Sequence, residues 1–288
     1  MRLSRSTALK TGVTWCAVGR LASAQLPGVA VDPHIVVLTP ARPAGEITVF
    51  NPQPFAAEFN IDLRFGYVTA DSSGAPRVEL KDGPDSASAA EWITPYPRKF
   101  TLAPGAAQLV RLLARPPSTI TDGEYWARLT VHSHDASSGR TSAAVAGAET
   151  TRAALTLETA TVMPVFFRKG AVATGISIER LTAVPDGDSI DVSMSLRRAG
   201  NAAFLGVASV AVLDSTGHEV AKSDRQLAVY VASATRWRVS LSSSLRAEAR
   251  TVTVALSTLR RDVPTRLVLQ AATVRQQTPL IPLFSPPH

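Results

Sequence analysis

Residues 152–168 place Leu155, Leu157, Thr159, Thr161, Met163, Val165 and Phe167 at every second position, and no other stretch limits the fold so much. Side chains of a strand alternate between its two faces, so this set shares one face of one strand. At about 3.3 Å per residue the strand would span roughly 50 Å, far beyond the usual five or six residues. Part of so long a strand is expected at a sheet edge, where unpaired backbone groups can receive another chain.

The surrounding sequence says what kind of sheet this is. Hydrophobic residues make up 45% of the 288 and aromatic ones 6%, with 20 Pro and 17 Gly, a balance that suits a β-rich protein of about two domains. Phe59, Ile61, Leu63, Phe65 and Tyr67 alternate with Glu58, Asn60, Asp62 and Arg64, the pattern of a half-buried strand. Shorter runs at 35–38, 46–50, 108–113 and 125–131 lie between Pro, Gly, Asn and Asp clusters that form turns. With the long strand these make about seven, the number of an immunoglobulin-like sandwich.

A second series follows. Ile190, Val192, Met194 and Leu196 share a face, as do Trp237, Val239 and Leu241, and Val252, Val254 and Leu256. The fold class expected is therefore all-β, with two immunoglobulin-like β-sandwich domains in tandem. The first domain covers 25–168 and the second 169–275, with 169–173 as a hinge and a Pro-rich tail at 276–288. Residues 137–151 are rich in Ser, Ala, Gly and Thr and read as a mobile loop leading into the long strand.

The first 24 residues read as a secretory signal peptide: Arg2, Arg5 and Lys10, an apolar stretch from Thr11 to Gly19, then Ala22-Ser23-Ala24 as a small-residue cleavage site. Removing them takes four basic residues from a chain of net charge +7 and leaves a weakly basic protein, with no case for nucleic acid. The single cysteine, Cys16, lies in that leader, so no thiol chemistry or disulfide is expected after export. No later stretch has the roughly 18 apolar residues that span a bilayer, so no membrane insertion is expected.

In its first half the chain resembles the PapD-like periplasmic pilus chaperones. The residues that carry the resemblance are Glu46-Ile47-Thr48-Val49-Phe50-Asn51, Trp92-Ile93-Thr94-Pro95, Phe100-Thr101-Leu102-Ala103-Pro104-Gly105 with Val110-Arg111-Leu112, Asp122-Gly123-Glu124-Tyr125, and Val165-Phe166-Phe167-Arg168. The resemblance implies a periplasmic protein that assists exported fimbrial or other surface-fibre subunits by lending them its last first-domain strand. The partners implied are those subunits and, where the system has one, an outer-membrane usher. Backbone hydrogen bonds supply affinity in such strand donation, and alternate side chains entering pockets supply fit.

Leu155, Leu157 and Thr159 stand where the family places its donor residues, with Thr159 smaller and more polar than usual there. The family's carboxylate anchor is missing. The first-strand region Val36-Val37-Leu38-Thr39-Pro40 has no Arg, and Pro164 stands at the position of the family's Lys; Arg168 and Lys169 are taken as substitutes. Arg111, Glu124 and Arg168 match charges near the family's domain junction and are expected to set the interdomain angle, as exposed pairs of about 0–1 kcal/mol each. Asp122-Gly123-Glu124-Tyr125 also resembles a tyrosine corner.

Signals for chemistry are thin. His132 and His134 share a strand face with Trp126, Arg128 and Thr130, but a bare His-x-His lacks the third ligand and support of a metal site. Asp186 and Asp188 lie in a turn, where Asp is favoured for its local hydrogen bonds. No nucleophile elbow, phosphate loop or zinc-protease helix is present, so no enzyme, catalytic residue, metal or cofactor is expected. The rival reading is a structural or adhesive surface protein with the same sandwiches and no exchangeable strand. A carbohydrate-binding module is weaker still, resting on Trp126 as an aromatic residue on an exposed face.

Overall fold

A computed structural model describes residues 29–135 and 158–280. The expected leader at 1–24, the loop at 137–151 and the donor positions Leu155 and Leu157 lie outside the described residues.

The first sandwich contains β1 (Ala30–Asp32), β2 (Val36–Leu38), β3 (Ala44–Phe50), β4 (Ala57–Ala70), β5 (Pro76–Lys81), β6 (Ile93–Tyr96), β7 (Lys99–Leu102), β8 (Ala107–Ala114), β9 (Gly123–Asp135) and β10 (Thr159–Lys169). The second contains β11 (Thr174–Asp186), β12 (Ser189–Gly200), β13 (Phe204–Leu213), β14 (Glu219–Val229), β15 (Ser233–Ser240), β16 (Thr251–Ser257) and β17 (Val274–Pro279). The protein is two immunoglobulin-like sandwiches in tandem. Among the described residues no helix is long and apolar enough to cross a membrane.

In the first sandwich one sheet has the order β1-β3-β8-β6 and the other β2-β10-β9-β4-β5, with β7 also on β4. The chain changes sheets between β1 and β2, since β1 pairs antiparallel with β3 and β2 pairs parallel with β10. Alternation predicts which residues meet between the sheets. Phe59 and Ile61 of β4, Val110 and Leu112 of β8, Leu129 and Val131 of β9, and Met163, Val165 and Phe167 of β10 are all buried in one core. More strands are present than the seven expected, because β1, β5, β6 and β7 are too short or interrupted for a period of two to register.

The second sandwich packs the sheet β11-β12-β15 on β14-β13-β16-β17. Its core takes Ile190, Val192, Met194 and Leu196, Trp237, Val239 and Leu241, and Val252, Val254 and Leu256, the same residues that alternation singles out. Strand β17 pairs with β16 from Leu256↔Val274 to Thr251↔Pro279. Residues 276–279 therefore belong to this sandwich and not to the tail assigned from 276, because prolines in that stretch suggest a loose end while Val274 and the following residues complete a sheet edge.

One alternating set is divided at the junction of the sandwiches, and one further expectation fails there. The five apolar residues of β4 do not share one core: Phe65 and Tyr67 join Trp126, Phe166, Leu205 and Tyr230 in a separate cluster between the domains. The reason is a change of partner, since β4 pairs with β9 only as far as Arg64↔Arg128 and with β5 from Phe65 onward. Trp126 is likewise 4% exposed and not displayed to solvent. Its strand face looks outward from the first sandwich, and the second sandwich covers it.

Candidate functional site

Strand β10 has unequal borders. On one side it pairs with β9 along its whole length, from Thr159↔Ser133 to Lys169↔Gly123. On the other it meets β2 only at Val165, Phe166 and Phe167. Residues 159–164 therefore face no described strand on that side. Pro164 marks the boundary, and a proline, lacking an N–H, is accommodated where its nitrogen points to an edge. By alternation Ala160 and Val162 turn their backbone groups to the same edge.

The side chains here differ from those downstream. Met163, Val165 and Phe167 fill the core, whereas Thr159 and Thr161 continue the same face with hydroxyls. Thr159 Oγ1 lies 2.8 Å from Ser133 Oγ, and Thr161 Oγ1 donates to the Val29 carbonyl at 2.9 Å. On the opposite face Ala160 is exposed and Val162 is 38% exposed. The upstream half thus combines a backbone edge that no described strand pairs with, and small side chains.

Downstream the strand is fastened to the second sandwich. Glu124 and Arg168 are register partners on β9 and β10, and Arg168 Nε donates to Glu124 Oε2 at 2.7 Å. The other carboxylate oxygen accepts from Trp126 Nε1 and from the Ala203 N–H of the second sandwich, each at 3.0 Å. Arg168 Nη1 reaches across to the Leu267 carbonyl at 2.9 Å. The Glu124 side chain is fully buried and that of Arg168 is 11% exposed. This corrects the expectation of an exposed pair: the apolar cluster around Trp126 and Phe166 shields it. A buried pair of this kind is costly to break from one side, since the remaining charge is left uncompensated.

Arg111 takes no part. It sits on β8 in the other sheet and pairs with Glu46 at 3.3 Å, both side chains well exposed. Lys169 donates its ammonium to the Ile120 carbonyl. These partners compete with the client-anchoring role expected of Arg168 and Lys169.

The linker expected to hinge is held at several points. Asn201 Oδ1 accepts from Ala173 N at 2.9 Å, and its Nδ2 donates to the carbonyls of Ala171 at 2.9 Å and Asp122 at 3.3 Å. Glu124 N also donates to the Asn201 carbonyl at 3.1 Å. Gly170 has φ +62°, and a Cβ there would stand 2.0 Å from the Asp122 carboxylate, so the chain passes where only glycine fits. The Tyr125 hydroxyl donates to the Thr121 carbonyl at 2.9 Å, the hydrogen bond of a tyrosine corner.

Sequence reasoning missed Asn201, Tyr230 and Arg128, all of which act across the junction. The Tyr230 ring lies 5.0 Å from Trp126 and 6.2 Å from Phe166, and the Arg128 guanidinium lies 4.9 Å from the Tyr230 centroid. No periodicity marks such residues, because their partners belong to another domain. His132 faces Glu158 at 3.1 Å and His134 lies 3.7 Å from Glu58. Among the described residues no three His, Cys, Asp or Glu side chains converge for a metal.

No protein-family model matches the chain, and no curated protein sequence matches it. Several solved structures do. The DraB chaperone of E. coli matches at 12% identity and TM-score 0.39 over 89% of this chain and 97% of that one. The YadV chaperone matches at 9% and 0.43 over 88% and 99%, and the class 5 fimbriae chaperone CfaA at 13% and 0.42 over 89% and 100%. At those values the likeness is loose, and the functional case stands on the chain's own residues.

Proposed function

We propose that this protein is a non-enzymatic periplasmic chaperone that holds an exported fimbrial or other surface-fibre subunit along the open edge of β10. The observation that carries the reading is the asymmetry of that strand. Its downstream half is bordered on both sides and fastened at the junction, while residues 159–164 have β9 on one side and no described strand on the other. An incoming extended segment would complete the sheet by backbone pairing, which is how strand addition supplies affinity. Leu155 and Leu157, at the alternate sequence positions that precede Thr159, would supply the apolar side chains that enter the subunit. Arg168 and Glu124, with the Trp126–Tyr230 cluster, would keep the second sandwich at a set angle beside the bound subunit. A leader that exports the chain and an outer-membrane usher that receives the loaded protein belong to the same proposal.

The test is recovery of the full-length protein from the periplasm of cells that express it with its neighbouring secreted proteins. A stoichiometric, incompletely folded subunit is expected to accompany it. Leu157→Glu is expected to keep the wild-type circular dichroism and lose that subunit, because burying an unpaired carboxylate in an apolar groove is prohibitive. A folded variant that retains its client at full strength removes this strand as the donor. If no client accompanies the wild type, a structural or adhesive surface protein becomes the better reading.

A further inference from the structure

The sheet β11-β12-β15 carries a groove of about 410 Å³ on its outer face, away from the core of the second sandwich. Thr182, Ser193 and Arg236 are register partners across its floor, and Arg180, Ser195 and Ala234 form the next row. Leu181 and Met194, which alternate with them, point into the core instead. One end is walled by the turn that joins β4 to β5, which belongs to the first sandwich. Gly74 of that turn has φ +81°, and a Cβ there would stand 2.1 Å from Arg236 N, so only glycine lets the turn approach so closely. Thr235 Oγ1 fixes the turn by donating to the Gly74 carbonyl at 2.9 Å.

Arg180 reaches this face through an irregularity. The register of β11 on β12 passes from Ile178↔Leu196 to Arg180↔Ser195, so Glu179 is an extra residue, the mark of a β-bulge. Uninterrupted alternation would turn Arg180 inward with Ile178, and the bulge turns it outward beside Thr182. Arg180 and Arg236 are both exposed. Neither pairs with a carboxylate among the described residues, in contrast to Arg197 and Arg238 on the same face, which pair with Glu179 and with Asp191 and Asp186. The carboxylates nearby are already engaged. Arg238 donates to both oxygens of Asp191, at 2.8 and 3.0 Å, and Arg236 acts on that carboxyl only as a lesser influence through its charge. Asp71, the one carboxylate in the groove wall, accepts from Ser73 Oγ and from the N–H groups of Ser73 and Ala75 through a single oxygen, bonds that hold it below its ordinary value.

We propose that this groove binds a phosphomonoester, with Arg180 and Arg236 closing on its oxygens from either side. The two arginines stand two strands and one pleat apart, about 12 Å between backbones, a spacing from which two guanidinium forks reach one anion seated over Ser193 and Ser195. A phosphomonoester is mostly a dianion at neutral pH, and two unopposed cations match it better than they match a monoanionic carboxylate. Its oxygens accept from guanidinium forks and from hydroxyls alike, and Thr182, Ser193 and Ser195 supply the hydroxyls. The phosphate is that of a soluble ester or of a lipid headgroup, and the experiment separates these. No residue of β10 lines the groove, so the inference survives or fails independently of strand donation.

Calorimetric titration of the full-length protein would use a hexose 6-phosphate beside the free hexose and acetate, and sedimentation would use phosphatidylcholine vesicles with and without phosphatidic acid. The hexose phosphate, or the vesicles that carry phosphatidic acid, are expected to bind about tenfold or more tightly than hexose, acetate or plain vesicles, the factor a charge-assisted hydrogen bond supplies. Arg180→Gln and Arg236→Gln, both at exposed positions, are expected to unfold like wild type and each to weaken that binding about tenfold. Arg275→Gln removes the same charge from an exposed site on β17, in the other sheet, and is expected to leave binding unchanged. Binding of the hexose phosphate assigns the groove to soluble esters, and capture by phosphatidic acid vesicles alone assigns it to lipid headgroups. No preference for phosphate in either format, undiminished binding in Arg180→Gln or Arg236→Gln, or an equal loss in Arg275→Gln overturns the proposal.

Discussion

The two halves of β10 are one strand in two environments. From Val165 to Phe167 it is bordered by β9 and β2 and completely buried, and the next residue, Arg168, still paired with β9, anchors the second sandwich. From Thr159 to Pro164 no described strand lies on one side, the core-facing residues shrink to threonines before Met163, and Val162 is partly exposed. The difference teaches that a single strand can be fixed where it joins domains and yet leave, a few residues upstream, a backbone border that no described strand fills. Alternation is the same in both halves, and what differs is the number of neighbours.

The largest expected effects fall in the downstream half. Phe167 is fully buried and packs edge-on against Trp92. Phe167→Ala should cost about 3–5 kcal/mol in urea unfolding. A cost under about 1 kcal/mol would mean that this half is no better packed than the upstream half. Glu124→Ala should match it, at about 3–5 kcal/mol, because Arg168 is left buried and unpaired. The same variant also removes the acceptor for Ala203 N–H and Trp126 Nε1. Solution scattering should then show an altered interdomain shape at urea concentrations where Trp237, inside the second core, still reports a folded domain. An unchanged shape would confine Glu124 to the first sandwich.

How much of this contrast could be read in the sequence depends on where a residue's partners lie. The alternating sets at Phe59 and Ile61, Ile190 to Leu196, and Val252 to Leu256 have their partners within one sandwich, and their burial follows from the period of two. Trp126, Phe65 and Tyr67 obey the same period, yet their cover comes from another domain around Tyr230. Periodicity identifies two faces of a strand and does not say that the outward one will be covered. Glu124 and Arg168 were legible only through resemblance, which also brought in Arg111 although it lies on the opposite sheet. Asn201 and Arg128 carried no local signal, since their roles arise from hydrogen bonds and packing between segments far apart in the chain.

A smaller effect is expected in the loop between β16 and β17. Arg260, hydrogen-bonded to Asp262, holds that carboxyl below its ordinary range. A carboxyl whose folded value is depressed contributes stability above its unfolded value, near 3.9, and loses it as pH falls through the lower folded one. Asp262 is 39% exposed, so solvent screening limits the contribution to at most about 1 kcal/mol. Asp262→Asn should cost no more than that at neutral pH and should flatten the acid limb of the stability profile. An acid limb identical to wild type would show that the pair adds nothing.

The smallest change in stability is expected in the upstream half, and it bears most directly on the comparison. Val162 projects from the outer face of β10, opposite the core, beside a border that no described strand occupies. Val162→Lys puts a flexible charge there, and exposed substitutions of this kind usually move stability by no more than about 0.5 kcal/mol. A lysine on an open edge also opposes the approach of another strand, because pairing would draw its charge out of water. The variant should therefore unfold like wild type and retain much less of an extended partner in the periplasmic recovery assay. Phe166→Lys, only four residues along the same face, should instead disrupt the junction, since Phe166 is fully buried against Tyr230. If Val162→Lys destabilises the protein as much as Phe166→Lys does, the upstream half is packed after all and the contrast between the halves disappears. If it is stable and still captures a partner in full, the edge beside Val162 is not where the partner pairs.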